Sequence, residues 1–123
     1  MYDKHYLKTL CIDFAIRIVQ LKKYLDEQKN EHIMSKQILR SGTSIGANVS
    51  ESEMAQSTAD FVSKLHIALK EANETSYWLE VLAKSYYISP NQYKSINDDL
   101  RRIIGFLVNI LKRIKGKRTA DAL

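Results

Sequence analysis

Gly42-Thr43-Ser44-Ile45-Gly46 is the one string in this 123-residue sequence that has the form of a catalytic motif, the G-x-S-x-G of serine hydrolases. That chemistry needs the serine on a strained strand-to-helix elbow, where its hydroxyl stands exposed. No strand-like run precedes Gly42. Instead Ile38, Ile45 and Val49 recur through the string at helical spacing. The same residues then read as Gly-x-x-x-Gly, which clears one helix face for a close neighbour. Metal chemistry has no better footing. A di-metal site in a helix bundle needs Glu-x-x-His on two helices, but the residues three before His5, His32 and His66 are Tyr2, Lys29 and Ser63. Cys11 is the single cysteine, so no intramolecular disulfide is available, and a lone helical cysteine reads as a small buried hydrophobe. No catalytic residue, cofactor ligand or metal ligand is assigned, and the chain reads as a non-enzyme.

Charge offers a different kind of chemistry. The formal net charge is +5. The first 99 residues carry 12 Lys/Arg against 13 Asp/Glu, whereas residues 100–123 carry 7 against 1. The basic character therefore belongs to the C-terminal segment, which suits an anionic partner better than an evenly basic surface would. Arg101, Arg102, Lys112 and Arg113 fall on the side of this segment away from its apolar stripe, and Lys115, Lys117 and Arg118 extend the charge. These seven are the candidate nucleic-acid-binding residues. They are not interleaved with exposed aromatic residues, which argues against specific single-strand readout.

Four helical segments must position these residues. One proline, four glycines and 45% hydrophobic residues favour an all-α protein. The first helix is predicted from Asp3 or Lys4 to Asp26, with Leu7, Leu10, Phe14, Ile18, Leu21 and Leu25 facing the core. The second runs from Ile33 or Ser35 to Ala55. Ser57 is placed to cap the third, with Asp60 completing the box, and this helix is expected to end near Tyr86 or Tyr87. Ser89-Pro90 then starts the fourth, whose stripe is Tyr93, Ile96, Leu100, Ile103, Leu107, Leu111 and Ile114 and whose end is expected at Lys115-Gly116. Short connections between long helices predict an antiparallel, up-and-down, left-handed four-helix bundle. Residues 1–123 form a single domain in this reading, with 116–123 a frayed tail.

Two helices carry more apolar surface than one core requires. Ile67, Trp78 and Val81 group away from the core stripe of the third helix, and Ile12, Ile16 and Val19 do so on the first. A helix apolar on two sides is usually buried on both, so these six residues are the candidate interface of a homo-oligomer. Arg40, Asn48, Glu51, Glu71 and Glu74 are read as a structural polar cluster whose interhelical bonds fix register.

Arg40-Ser41, Ser44-Ile45, Asn48-Val49 and Glu51, followed by Asp60-Phe61, Ile67-Ala68-Leu69-Lys70-Glu71-Ala72-Asn73-Glu74-Thr75 and Tyr77-Trp78-Leu79, also carry a resemblance. This pattern resembles the bacterial four-helix-bundle proteins encoded in intervening sequences of 23S ribosomal RNA genes. The motif covers the middle third of the chain, and the outer helices match in length and pattern. Some family members have a glycine after the glutamate and an arginine in the next turn, where this chain has Ser52 and Ala55-Gln56. The resemblance implies an up-and-down bundle that assembles into a ring, a pentamer, without enzymatic activity. It also implies kinship with accessory proteins of diversity-generating retroelements, basic bundles that contact a reverse transcriptase and its RNA. The expected partners are thus further copies of the chain and RNA or a nucleoprotein. The alternative is a protein-interaction module, such as a retroelement accessory subunit, that does not bind nucleic acid directly. No membrane span and no signal-peptide pattern is evident, and a cytoplasmic location is expected.

Overall fold

Local capping chemistry starts two of the four helices. Ser57 accepts a hydrogen bond from the Asp60 N–H at 3.0 Å, and the Asp60 carboxylate accepts from the Gln56 N–H. At the next boundary Ser89 Oγ accepts from the Gln92 N–H while Gln92 Oε1 accepts from the Ser89 N–H, a reciprocal box just ahead of Pro90. In the computed structural model, which describes residues 4–122 and the side chains from His5 to Lys117, the order is α1 (Lys4–Gln28), α2 (Met34–Ser52), α3 (Thr58–Lys84) and α4 (Pro90–Ala122). No strand occurs among the described residues.

α2 starts differently. Its N-cap position is Ile33, which has no capping side chain, and the buried Glu31 carboxylate reaches forward to accept from the N–H groups of Ser35 and Ile33. Next to it Asp26 accepts from Lys22, Ser35 Oγ and His32, which ties the end of α1 to the start of α2. Those hydrogen bonds, Lys22's first, hold the Asp26 carboxyl down at about 2 from an ordinary 3.8. A depressed folded-state pKa adds stability that is complete above the ordinary value and is lost as pH falls through the folded one. The urea midpoint of the wild-type protein should therefore fall between pH 4 and pH 2 more steeply than that of Asp26→Asn. Equal slopes would show that Asp26 is not protected in the fold.

The helix ends depart from the sequence expectations. α3 stops at Lys84, because Tyr86 adopts φ 67° and the Tyr87 N–H turns back to the Leu82 carbonyl at 2.9 Å. This is the left-handed C-terminal closure normally made by glycine. Tyr86→Gly is expected to stabilise the protein by about 0.5–1 kcal/mol, the relieved strain exceeding the added chain entropy, as read from denaturant midpoints. α2 stops at Ser52, short of Ala55, where the Met54 and Ala55 N–H groups bond three residues back. α4, expected to end at Lys115-Gly116, continues to Ala122. One exposed glycine costs a helix only about 1 kcal/mol, and no proline follows it. Leu123 lies outside the described residues.

Leu7, Phe14, Ile18, Leu25, Ile38, Ile45, Leu65, Leu79, Leu82, Leu100, Ile103 and Leu107 fill one shared core. Each helix packs on its sequence neighbours, α4 also closes on α1, and among the described residues the backbones of α1 and α3, and of α2 and α4, do not come close. Neighbours are antiparallel. Lys8 pairs with Glu53 while Asp26 meets Ser35 across α1 and α2, and Tyr6 stacks near Phe106 while Arg17 bonds Ser95 across α1 and α4. On the Gly-x-x-x-Gly face α1 lies close against α2. A Cβ on Gly42 would sit 2.9 Å from Ile18, and one on Gly46 would sit 3.0 Å from the Cys11 Cβ.

Candidate nucleic-acid interface

The catalytic alternatives meet a simple local geometry. Ser44 lies inside α2 and donates its hydroxyl to the Arg40 carbonyl at 2.6 Å, as helical serines do. Burial pushes the Cys11 thiol up to about 12, leaving an inert hydrophobe. Among the described residues no group of three His, Cys, Asp or Glu is placed to hold a metal ion.

On α4, the core side is taken by Ile96, Leu100, Ile103, Leu107 and Ile110, and Tyr93, Leu111 and Ile114 pack at its edge. Arg101, Arg102, Lys112, Arg113, Lys115 and Lys117 are all exposed. Arg118 lies outside the described side chains. Among the described side chains the acidic residues of the same helix are occupied: Asp98 pairs with Lys94 at 2.8 Å, and Asp99 pairs with Arg17 of α1 at 2.7 Å. Arg101, Arg102, Lys112, Arg113 and Lys117 form no ion pair with a described residue. The result is a cationic face about 16 Å long from Arg101 to Lys112, with no described carboxylate paired to it.

The polar residues of α2 and α3 separate into two groups. Arg40 pairs with Glu71 at 3.3 Å and with Glu74, whose carboxylate also accepts from the Trp78 indole N–H at 3.0 Å. Directly beneath, the buried hydroxyls of Ser41 and Thr75 hydrogen-bond at 3.0 Å. Glu51 lies three turns away, with Lys64 3.6 Å from it, and Asn48 donates to the Ser44 carbonyl of its own helix. Arg40, Glu71 and Glu74 are thus brought together, and Asn48 and Glu51 stand apart from them. The Ser41–Thr75 contact was missed because small hydroxyl residues at helical spacing look like any small-residue face.

The apolar rows point in opposite directions. Ile12, Ile16 and Val19 are 50%, 51% and 40% exposed on the outer side of α1, directly away from its core side. Ile67 is 38% exposed on α3, while Val81 is half-buried and Trp78 lies partly over the core, with its ring edge on Tyr77. Because α1 and α3 are the diagonal helices of the bundle, their outer faces lie on opposite sides of the molecule.

No helix is long and apolar enough to cross a membrane among the described residues. No curated protein matches the chain. A solved structure does: a protein of unknown function from the S23 ribosomal protein family of Bacteroides thetaiotaomicron, 56% identical, covering 89% of this chain and 97% of its own, with a TM-score of 0.87. Neither that structure nor the matching family model indicates an enzyme class. The family model for the 23S rRNA-intervening sequence protein matches residues 6–109, which reaches into all four helices and includes Arg101 and Arg102 but stops within α4 before Lys112. Four helices, the small-residue approach of α2 to α1 and that match over most of the sequence agree: the chain belongs to the 23S rRNA-intervening sequence protein family.

Proposed function

We propose that this chain is a non-enzymatic subunit of a ring, a pentamer by family resemblance, whose repeated α4 faces bind RNA or a nucleoprotein. The observation that carries the reading is the exposed row Arg101, Arg102, Lys112, Arg113 and Lys117 without ion pairs to described residues, on a helix whose carboxylates Asp98 and Asp99 are engaged. Gly105 lies within this face with nothing within 4 Å of its missing side chain, so a phosphate chain can lie close to the helix backbone there. Apolar rows on opposite sides favour a head-to-tail contact, α1 of one copy against α3 of the next. Such contacts close into rings when the rotation permits. A ring repeats a weak phosphate-binding face on every subunit, which raises avidity without any new contact.

Fluorescence anisotropy with a labelled single-stranded RNA, titrated with salt, tests the reading. Four to six neutralised phosphates give a slope of about −3 to −4 in log K against log salt. Arg102→Ala with Arg113→Ala should reduce its magnitude by about 1.4. No binding at low salt, or binding that salt does not weaken, would remove RNA as the ligand.

A second reading is favoured by a groove of about 320 Å³ between α3 and α4. Val62, Leu69, Val108 and Leu111 form its apolar lining, and His66 and Lys112 stand beside them. It suits a protein-interaction module, and recovery of a protein without RNA on the purified chain would support that alternative.

A further inference from the structure

We propose that the groove between the second half of α1 and the first turns of α4 is a nucleobase subsite of the α4 face; this rests on the RNA-binding reading above. The groove has a volume of about 450 Å³, within the range of small-ligand sites. Leu21, Ile88 and Ile96, all buried in the core, form its apolar floor, and the half-buried ring of Tyr24 also lines it. A flat heterocycle gains most from such surfaces, because base stacking on aromatic side chains contributes roughly 1–3 kcal/mol per base.

The rim supplies what a base edge needs. Gln20 of α1 and Asn91 of α4 are exposed carboxamides that line the groove and make no side-chain hydrogen bond with a described residue. Each offers two donors and an acceptor, the alternating pattern that Watson–Crick and Hoogsteen edges present. Arg17 contributes a fixed plane. Its guanidinium donates to the Ser95 carbonyl at 3.1 Å, to Ser95 Oγ at 2.9 Å and to Asp99 at 2.7 Å, so its orientation is set before any ligand arrives.

The same contacts decide against a phosphate in the groove. Asp99 already neutralises Arg17, no other groove-lining residue is cationic, and the nearby Lys29 ammonium stands over the Tyr24 ring at 5.8 Å. Phosphates belong further along α4. Ser95, Arg102, Asn109 and Arg113 follow at intervals of seven, seven and four residues on one side of the helix, so Arg102 stands about 10 Å from Ser95 along the axis. A single strand running along that side keeps its backbone on the arginines and turns one base into the groove. The aromatic residues of α4, Tyr93 and Phe106, do not line the groove, and the ring there is Tyr24 of the neighbouring α1.

The test uses the full chain and two labelled probes of equal length, a twelve-residue oligoadenosine and an abasic ribose-phosphate oligomer. Gln20→Ala with Asn91→Ala removes only exposed side chains, so the thermal midpoint should not move. Tyr24→Leu keeps apolar volume but removes the ring. Each variant is expected to weaken oligoadenosine binding about tenfold, while abasic binding and the salt slope stay as in wild type. Wild-type protein that binds both probes equally, with no effect of either variant, would overturn the subsite and leave the α4 reading standing. Failure of both probes to bind at low salt would overturn both. Loss of abasic binding in the variants would overturn the subsite as well, because the groove would then be holding backbone.

Discussion

Gly42→Leu is expected to destabilise the protein by about 3 kcal/mol or more, the upper part of the range for overpacked cores. Even a bare Cβ at Gly42 would sit 2.9 Å and 3.0 Å from the two γ-carbons of Ile18, which is fully buried. A β-branched side chain near its own backbone has little freedom to turn aside. α1 and α2 must then separate, and the separation would open the contacts of Ile38 and Ile45 as well. Gly46→Leu meets the Cys11 Cβ and main chain and should cost a similar amount. Gly105→Ala is the internal control, since nothing lies within 4 Å of that position and an exposed helical alanine should stabilise by about 1 kcal/mol. Urea denaturation of the three variants checks the set. Unchanged midpoints for both leucine variants would mean that α2 does not use this face against α1.

What the sequence disclosed followed from how local each signal is. Ser57 with Asp60 and Ser89 with Pro90 act within one turn, and both boundaries stand where those residues place them. The end of α3 was displaced because Tyr86 occupies a left-handed position whose usual marker is glycine. The start of α2 carries no Ser, Thr, Asp or Asn at its cap position, and the work falls to Glu31, two residues upstream. The basic side of α4 was legible because position on a helix determines which side chains face away from the core. The α1–α4 groove was not. Gln20 and Asn91 come within one cavity only because α4 closes back on α1, a long-range contact that no spacing rule encodes. Trp78 shows the limit of a helical wheel. Its position lies away from the core stripe, yet its indole leans back over the core and donates to Glu74.

That placement of Trp78 decides how the proposed assembly is best broken. Trp78→Glu would put a second carboxylate beside Glu74 and remove apolar cover from the core, so it would cost stability in one subunit as well as association. Ile16→Glu is the cleaner variant. Ile16 is 51% exposed on the outer side of α1, between Ile12 and Val19, and is not part of the core cluster. In a free subunit a glutamate there meets water and changes stability by less than about 0.5 kcal/mol. In an α1-to-α3 contact the same carboxylate would be buried without a partner, a loss of several kcal/mol repeated at every junction of a ring. Light scattering should therefore report a multi-subunit mass for wild type and a single-subunit mass for Ile16→Glu, with the thermal midpoint of the isolated subunit lowered only by its lost association. Ile33→Glu, at a position 77% exposed in the connection between α1 and α2, should leave the mass unchanged. A wild-type protein of single-subunit mass, or an Ile16→Glu variant of full assembly mass, would show that the α1 row is not the contact surface.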